Sequence, residues 1–140
     1  GNHRETTRLE ESGMKLLSPE GIAPPASRFS HGALVPGGAR RLIIAGQIGI
    51  DPDGTLAEGL EAQMERCWLN LFAVLESAGM TKRDLVKITV FVTQSNATAL
   101  YREIRDRVLE GHAPTATYVI VAGLASPDLL VEIEGEAAAQ

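Results

Sequence analysis

Apolar residues recur along this chain with two different periods, and the changes of period mark the elements. Leu42-Ile43-Ile44-Ala45 is a continuous apolar run, interrupted by Gly46 and Gln47 and closed by Asp51-Pro52-Asp53-Gly54. It reads as a buried strand that ends in a turn. A glycine inside such a strand marks a bulge or the close approach of another group. Across residues 57–78 the apolar positions are Leu60, Met64, Cys67, Leu71, Val74, Leu75 and Ala78. Spacings of three and four predict an amphipathic helix, widened by Trp68 and Phe72 and stopped at Gly79. Met64, Cys67 and Trp68 are expected in the core. Residues 84–93 alternate instead, with Val86, Ile88, Val90 and Val92 on one face and Leu85, Lys87, Thr89 and Phe91 on the other.

A second helix is predicted over 97–110, with Ser95 or Asn96 as N-cap and Gly111 as stop. Leu100, Ile104 and Val108 form its inward stripe. Arg102, Glu103, Arg105, Asp106 and Arg107 read as a solvated face, Glu103 and Arg107 being spaced to pair. Residues 115–122 are β-branched and apolar, a central-strand pattern. From Leu129 to Ala137 the pattern alternates again, Glu132, Glu134 and Glu136 opposing Val131, Ile133 and Gly135. Before all of these, residues 1–27 form a polar arm. In it, Leu9 and Met14-Leu16-Leu17 suit either one amphipathic turn or a short edge strand. Residues 29–35 carry a weak strand pattern, and Pro36-Gly37-Gly38 is a turn signal that predicts a hairpin with 42–50.

The resulting order, ββ-α-β-α-ββ, predicts a two-layer α+β domain over 28–140, its helices on one face of a mixed sheet. Helices of about 20 and about 14 residues cover one face only. The other, bearing Phe91, is expected to be an interface between copies of the chain.

Composition narrows the chemistry. The 140 residues, 44% hydrophobic, suffice for a globular core. With a net charge of −5 and no cationic cluster larger than the pair Arg40-Arg41, the charge balance argues against nucleic-acid binding. Aromatics at 4% supply no base-stacking platform. A single cysteine excludes an intrachain disulfide, and His3, His31 and His112 are spaced unlike metal ligands. No apolar run reaches the ~20 residues of a membrane span, and the first residues lack a signal-peptide core, so a cytoplasmic location is expected.

Five segments together resemble the RidA/YjgF family, also known as endoribonuclease L-PSP-like or translation-inhibitor-like. They are AGQIGIDPDGTL at 45–56, LESAGM at 75–80, DLVKITVFVT at 84–93, HAP at 112–114 and LLVEIEGEA at 129–137. The resemblance implies a chorismate-mutase-like fold and a homotrimer whose sheets close a barrel, with small-molecule clefts between subunits. For the active branch it implies hydrolysis of imines and enamines such as 2-aminoacrylate to 2-keto acids and ammonia, without metal or organic cofactor.

Several positions depart from the family pattern. The Pro-x-Arg-Ser segment whose arginine clamps the substrate carboxylate reads Pro114-Thr115-Ala116-Thr117 here. A guanidinium is a bidentate, permanently charged clamp, and a methyl group is not. Ala45 replaces a Ser or Thr, Phe29 a tyrosine, and Tyr118 a cysteine. Gly46 and Glu132 match, Glu132 being the residue the family uses beside the reacting atom and its water. The expected site is therefore Glu132 as catalytic group, with Gly46, Gln47, Phe29, Ala116, Thr117 and Tyr118 around the ligand. Glu132 on pattern alone is equally a wet strand carboxylate. Tyr118 is either a hydroxyl donor replacing the one lost at Phe29 or a half-buried strand aromatic. A carboxylate ligand would need backbone N–H groups or a relocated cation, for which Arg28 is the candidate. His112 is expected to cap the second helix, and His31 lies near Phe29. Three functions follow: an imine or enamine hydrolase of altered specificity, a non-catalytic binding module, and, weakest, a ribonuclease.

Overall fold

The computed structural model describes residues 13–140. In chain order the strands are β1 (Lys15–Leu17), β2 (Gly32–Leu34) and β3 (Arg40–Ile48), then helix α1 (Leu60–Ser77), β4 (Leu85–Val92), helix α2 (Thr98–Leu109), β5 (Thr115–Ile120) and β6 (Val131–Ala139). A four-stranded mixed sheet runs β3-β6-β4-β5, antiparallel except for the parallel β4–β5 pair. Both helices pack on one face of it, as the apolar periods predict. Leu9 lies outside the described residues.

The core forms between the helices and the sheet. Met64, Cys67, Trp68 and Leu71 of α1 meet Ile88, Val90 and Val92 of β4 and Val131 and Ile133 of β6, all fully buried. Alternation explains the choice, since every second residue of β4 and β6 turns to the helices. The thiol of Cys67 donates to the Val131 carbonyl at 3.7 Å. Gln63, a polar residue in the buried stripe of α1, bonds the 128–130 loop with both ends of its amide. Nε2 donates to the Asp128 carbonyl at 3.0 Å, and Oε1 accepts from the Leu130 N–H at 2.9 Å. Gly49 lies against this residue so closely that any Cβ there would overlap the backbone of Gln63.

Two expectations about the strands fail. The predicted hairpin between 29–35 and β3 does not form, because β2 pairs antiparallel with β1 as a separate two-stranded sheet. That pairing places Leu16 in a small second core with Met14, Val86 and Ala138. Val86 is the second departure. A bulge between Leu85 and Lys87 adds one residue to β4, and an extra residue reverses the alternation. Leu85 therefore faces the helices, while Val86 turns to Met14 and Leu16.

The second helix is also rotated from expectation. Its buried residues are Tyr101, Ile104, Arg105 and Leu109, with Leu100 and Val108 only partly covered. Neither Ser95 nor Asn96 caps it; Ala97 holds that place without a side-chain bond. Arg107 pairs with Glu65 of α1 at 2.7 Å instead of with Glu103. His112 is fully buried; its N–H donates to the Leu109 carbonyl at 3.0 Å at the end of α2, and its Nε2 lies 2.7 Å from the Leu85 carbonyl, tying that end to β4.

The sheet face away from the helices carries Ile43, 61% exposed, and half-buried Phe91. It is more charged than the sequence pattern suggests, with Arg41 paired to Glu136 at 3.1 Å and Lys87 beside Glu134 in a shallow depression.

Candidate functional site

Register assigns the sequence-derived candidates to faces. Glu132 of β6 stands opposite Phe91 of β4, and Phe91 opposite Val119 of β5. Ala116 and Tyr118 stand opposite Ile88 and Val90, which face the helices, and both pack against the main core. Residues paired across a sheet share a face. Glu132 and Thr117 therefore lie on the open face, and Ala116 and Tyr118 lie on the helix face. Within one chain the sheet itself separates Glu132 from Ala116.

On the open side, the signal at Gly46 holds. Ile44 stands opposite Gly135 and Gln47 opposite Ile133, so Ala45 and Gly46 together face Glu134 in a bulge. The Glu132 side chain lies across Gly46, and a Cβ there would overlap its carboxylate. Glycine is thus what lets the acid rest on bare backbone at this corner. Gln47 bonds back to the Ala45 carbonyl at 3.1 Å and stays within its own strand.

On the helix side, a concavity of about 190 Å³ opens beside Ala116. The strand contributes Ala116 and Tyr118; the preceding loop contributes Ser27 and Phe29; helix α2 contributes Thr98, Tyr101, Arg102 and Arg105. Ser30 holds the loop in place, its N–H donating to the Pro114 carbonyl at 3.2 Å and its hydroxyl to the Ala113 carbonyl at 2.7 Å. An isolated parallel bridge from Ser30 to Thr115 sets this loop along the outer edge of β5. Tyr101 and Tyr118 stack with ring centres 4.8 Å apart, and Thr98 donates to the Tyr118 hydroxyl at 3.2 Å. Phe29 meets His31 edge-on, while His31 itself bonds the Ala23 carbonyl at 2.8 Å.

Arg105 was expected in solvent and is 2% exposed. Its guanidinium lies over the Tyr101 ring, 5.2 Å from the centre, pairs with Asp106 at 2.9 Å and donates to the Ser27 hydroxyl at 3.2 Å. A buried cation needs such partners to offset its lost hydration. The sequence signal was present: with Ala97, Tyr101, Ile104 and Leu109, position 105 falls on the buried stripe at helical spacing. Arg102, one turn earlier, is exposed, and no hydrogen bond or ion pair engages it among the described residues. Arg28 is exposed and does not line the concavity; among the described residues the cations that do are Arg102 and Arg105 of α2. Tyr101 is buried, and its hydroxyl makes no hydrogen bond of ordinary geometry despite the guanidinium alongside. Burial raises its pKa, the Arg105 charge offsetting part of the rise. Leaving such a hydroxyl unpaired costs about 1–3 kcal/mol.

Among the described residues no group of three or more His, Cys, Asp or Glu side chains gathers to hold a metal. None of the helices there is long and apolar enough to cross a membrane.

Two helices on a four-stranded mixed sheet are an architecture the chain shares with solved structures. Residues 21–139 match the Endoribonuclease L-PSP family, and the chain belongs to that family. It is 33% identical over 121 residues to a 2-iminobutanoate/2-iminopropanoate deaminase of Salmonella typhimurium, covering 84% of this chain and 88% of that one. A Rid family protein of unknown function from Yersinia pestis, YyfB, superposes with a TM-score of 0.80 at 32% identity, covering 89% and 98%. TdcF of E. coli, solved with bound serine, superposes at 0.68 and 30% identity, covering 88% and 94%.

Proposed function

We propose that the chain assembles as a homotrimer through the open faces of its sheets and binds a small metabolite in clefts between subunits. In each cleft, Glu132 on Gly46 from one copy meets the concavity around Phe29, Ala116 and Tyr118 of the next. The chemistry is hydrolysis of an imine or enamine whose specificity differs from that of arginine-bearing relatives. Water adds to the imine carbon while the Glu132 carboxylate accepts its proton. Glu132 passes that proton to the imine nitrogen, and collapse of the adduct, with its hydroxyl proton moving to nitrogen, expels ammonia and leaves a carbonyl. The division of the candidate residues between two faces of one sheet carries this reading, since an acid and a pocket so separated serve one ligand only when a second copy joins them. A deaminase relative and a serine-bound neighbour support it.

Light scattering should give three copies per particle. A panel of freshly generated imines and enamines, read by ammonia or carbonyl release, should include turned-over members. E132Q should slow these about 100-fold or more with the trimer intact. 2-Aminoacrylate itself should be a poor substrate, because Ala116 supplies no clamp. A monomer in solution would sink the reading. Ala116 also favours a second one, a binding module without turnover. Ligand-induced thermal shifts with no turnover across the panel would decide for that.

A further inference from the structure

The helix-side concavity holds donors in search of an acceptor. Arg102 offers a guanidinium that no carboxylate or carbonyl engages among the described residues. The Tyr101 hydroxyl is buried and without a well-formed hydrogen bond. Arg105 differs in being paired: Asp106 offsets its charge and Nη1 donates to the Ser27 hydroxyl, while its buried Nη2 makes no well-formed hydrogen bond. The remaining walls are Phe29, the Tyr101–Tyr118 stack and the methyl group of Ala116. A free, forked cation at one side and aromatic surface on the others match an anion attached to an apolar body.

We infer that Arg102 is a specificity-determining residue: it holds the carboxylate of a ligand whose aromatic or bulky apolar body fills the space that Ala116 leaves beside Tyr118 and Phe29. The inference rests on the cleft reading above and deepens it. Short imino acids present a carboxylate directly next to the reacting carbon. A cation on the helix, one layer above β5, instead selects ligands long enough to span from α2 to the sheet. The class is therefore aryl- or large alkyl-bearing carboxylates.

Calorimetry on the intact protein with 3-phenylpropanoate, 3-phenylpropanamide and propanoate tests this. The wild type should bind 3-phenylpropanoate at least tenfold more tightly than the amide and than propanoate. R102Q should lose that tenfold preference while its affinity for the amide is unchanged. The substitution is at an exposed position, and E103Q, on the same helix outside the concavity, should behave as wild type. Equal binding of acid and amide, or full retention of the preference in R102Q, overturns the role of Arg102 and leaves the cleft standing. Failure of all three compounds to bind the trimer overturns both. Arg102-dependent binding in a protein that turns over no imine keeps the inference and removes the hydrolase.

Discussion

Two glycines on one strand and its turn illustrate how differently a missing side chain serves this molecule. At Gly46 the neighbour is the tip of the Glu132 side chain, which can swing away; at Gly49 it is the backbone of α1, which cannot. G46A should therefore leave thermal stability nearly unchanged while removing whatever depends on Glu132. G49A should destabilise the fold by about 1–3 kcal/mol, since it forces helix and strand apart. Denaturant titration and turnover separate the two. Cys67 carries a pH signature. Burial, with the Glu132 charge adding to it, pushes its thiol from an ordinary 9.0 up to about 12. The folded chain thus keeps its proton where the unfolded chain ionises. That stabilisation is complete below pH 9.0 and is lost progressively up to about pH 12. Unfolding free energy should fall over that range by at most about 4 kcal/mol. C67A should remove its own share of the slope, leaving that of Tyr101, whose raised pKa acts in the same direction. A116R should place a guanidinium where the resemblance expects one. A gain in binding of short carboxylates, read by calorimetry, is expected.

Elements were legible wherever a period was uninterrupted. The stripe of α1 and the alternation of β6 appear in the structure as read. The misses occur where one residue breaks a period or a polar residue occupies an apolar position. The bulge at Val86 cannot be seen in the string, because alternation looks the same until a partner strand is present. Arg105 was assigned to solvent on its charge, although its spacing belongs to the buried stripe, and Asp106 and Ser27 make the burial tolerable. Gln63, polar but uncharged, likewise falls on the buried stripe of α1. Its amide replaces a missing ladder between α1 and the loop before β6. Q63A should cost about 1–3 kcal/mol in chemical denaturation, because the Leu130 N–H would lose its acceptor. The pairing of β2 with β1 was hidden because strands of three residues are specified by what they cover, and Val86 was not yet on that side.

For the whole molecule, the candidate site was legible as a set of residues but not as a geometry. Family-like positions at Gly46, Ala116 and Glu132 could be named from the string. That the last two stand on opposite faces follows only from the order β3-β6-β4-β5 and its register. One consequence of that order concerns colloidal behaviour. Among the described residues, a single bridge at Ser30 lies outside β5 and protects only the start of the strand, and Ile120 at its end is 52% exposed. Backbone groups past that bridge are a template for any passing extended peptide. Dilution or mutations that split the proposed trimer should therefore produce fibrous precipitate seeded along Thr117–Ile120. A lysine at Ile120 should suppress it.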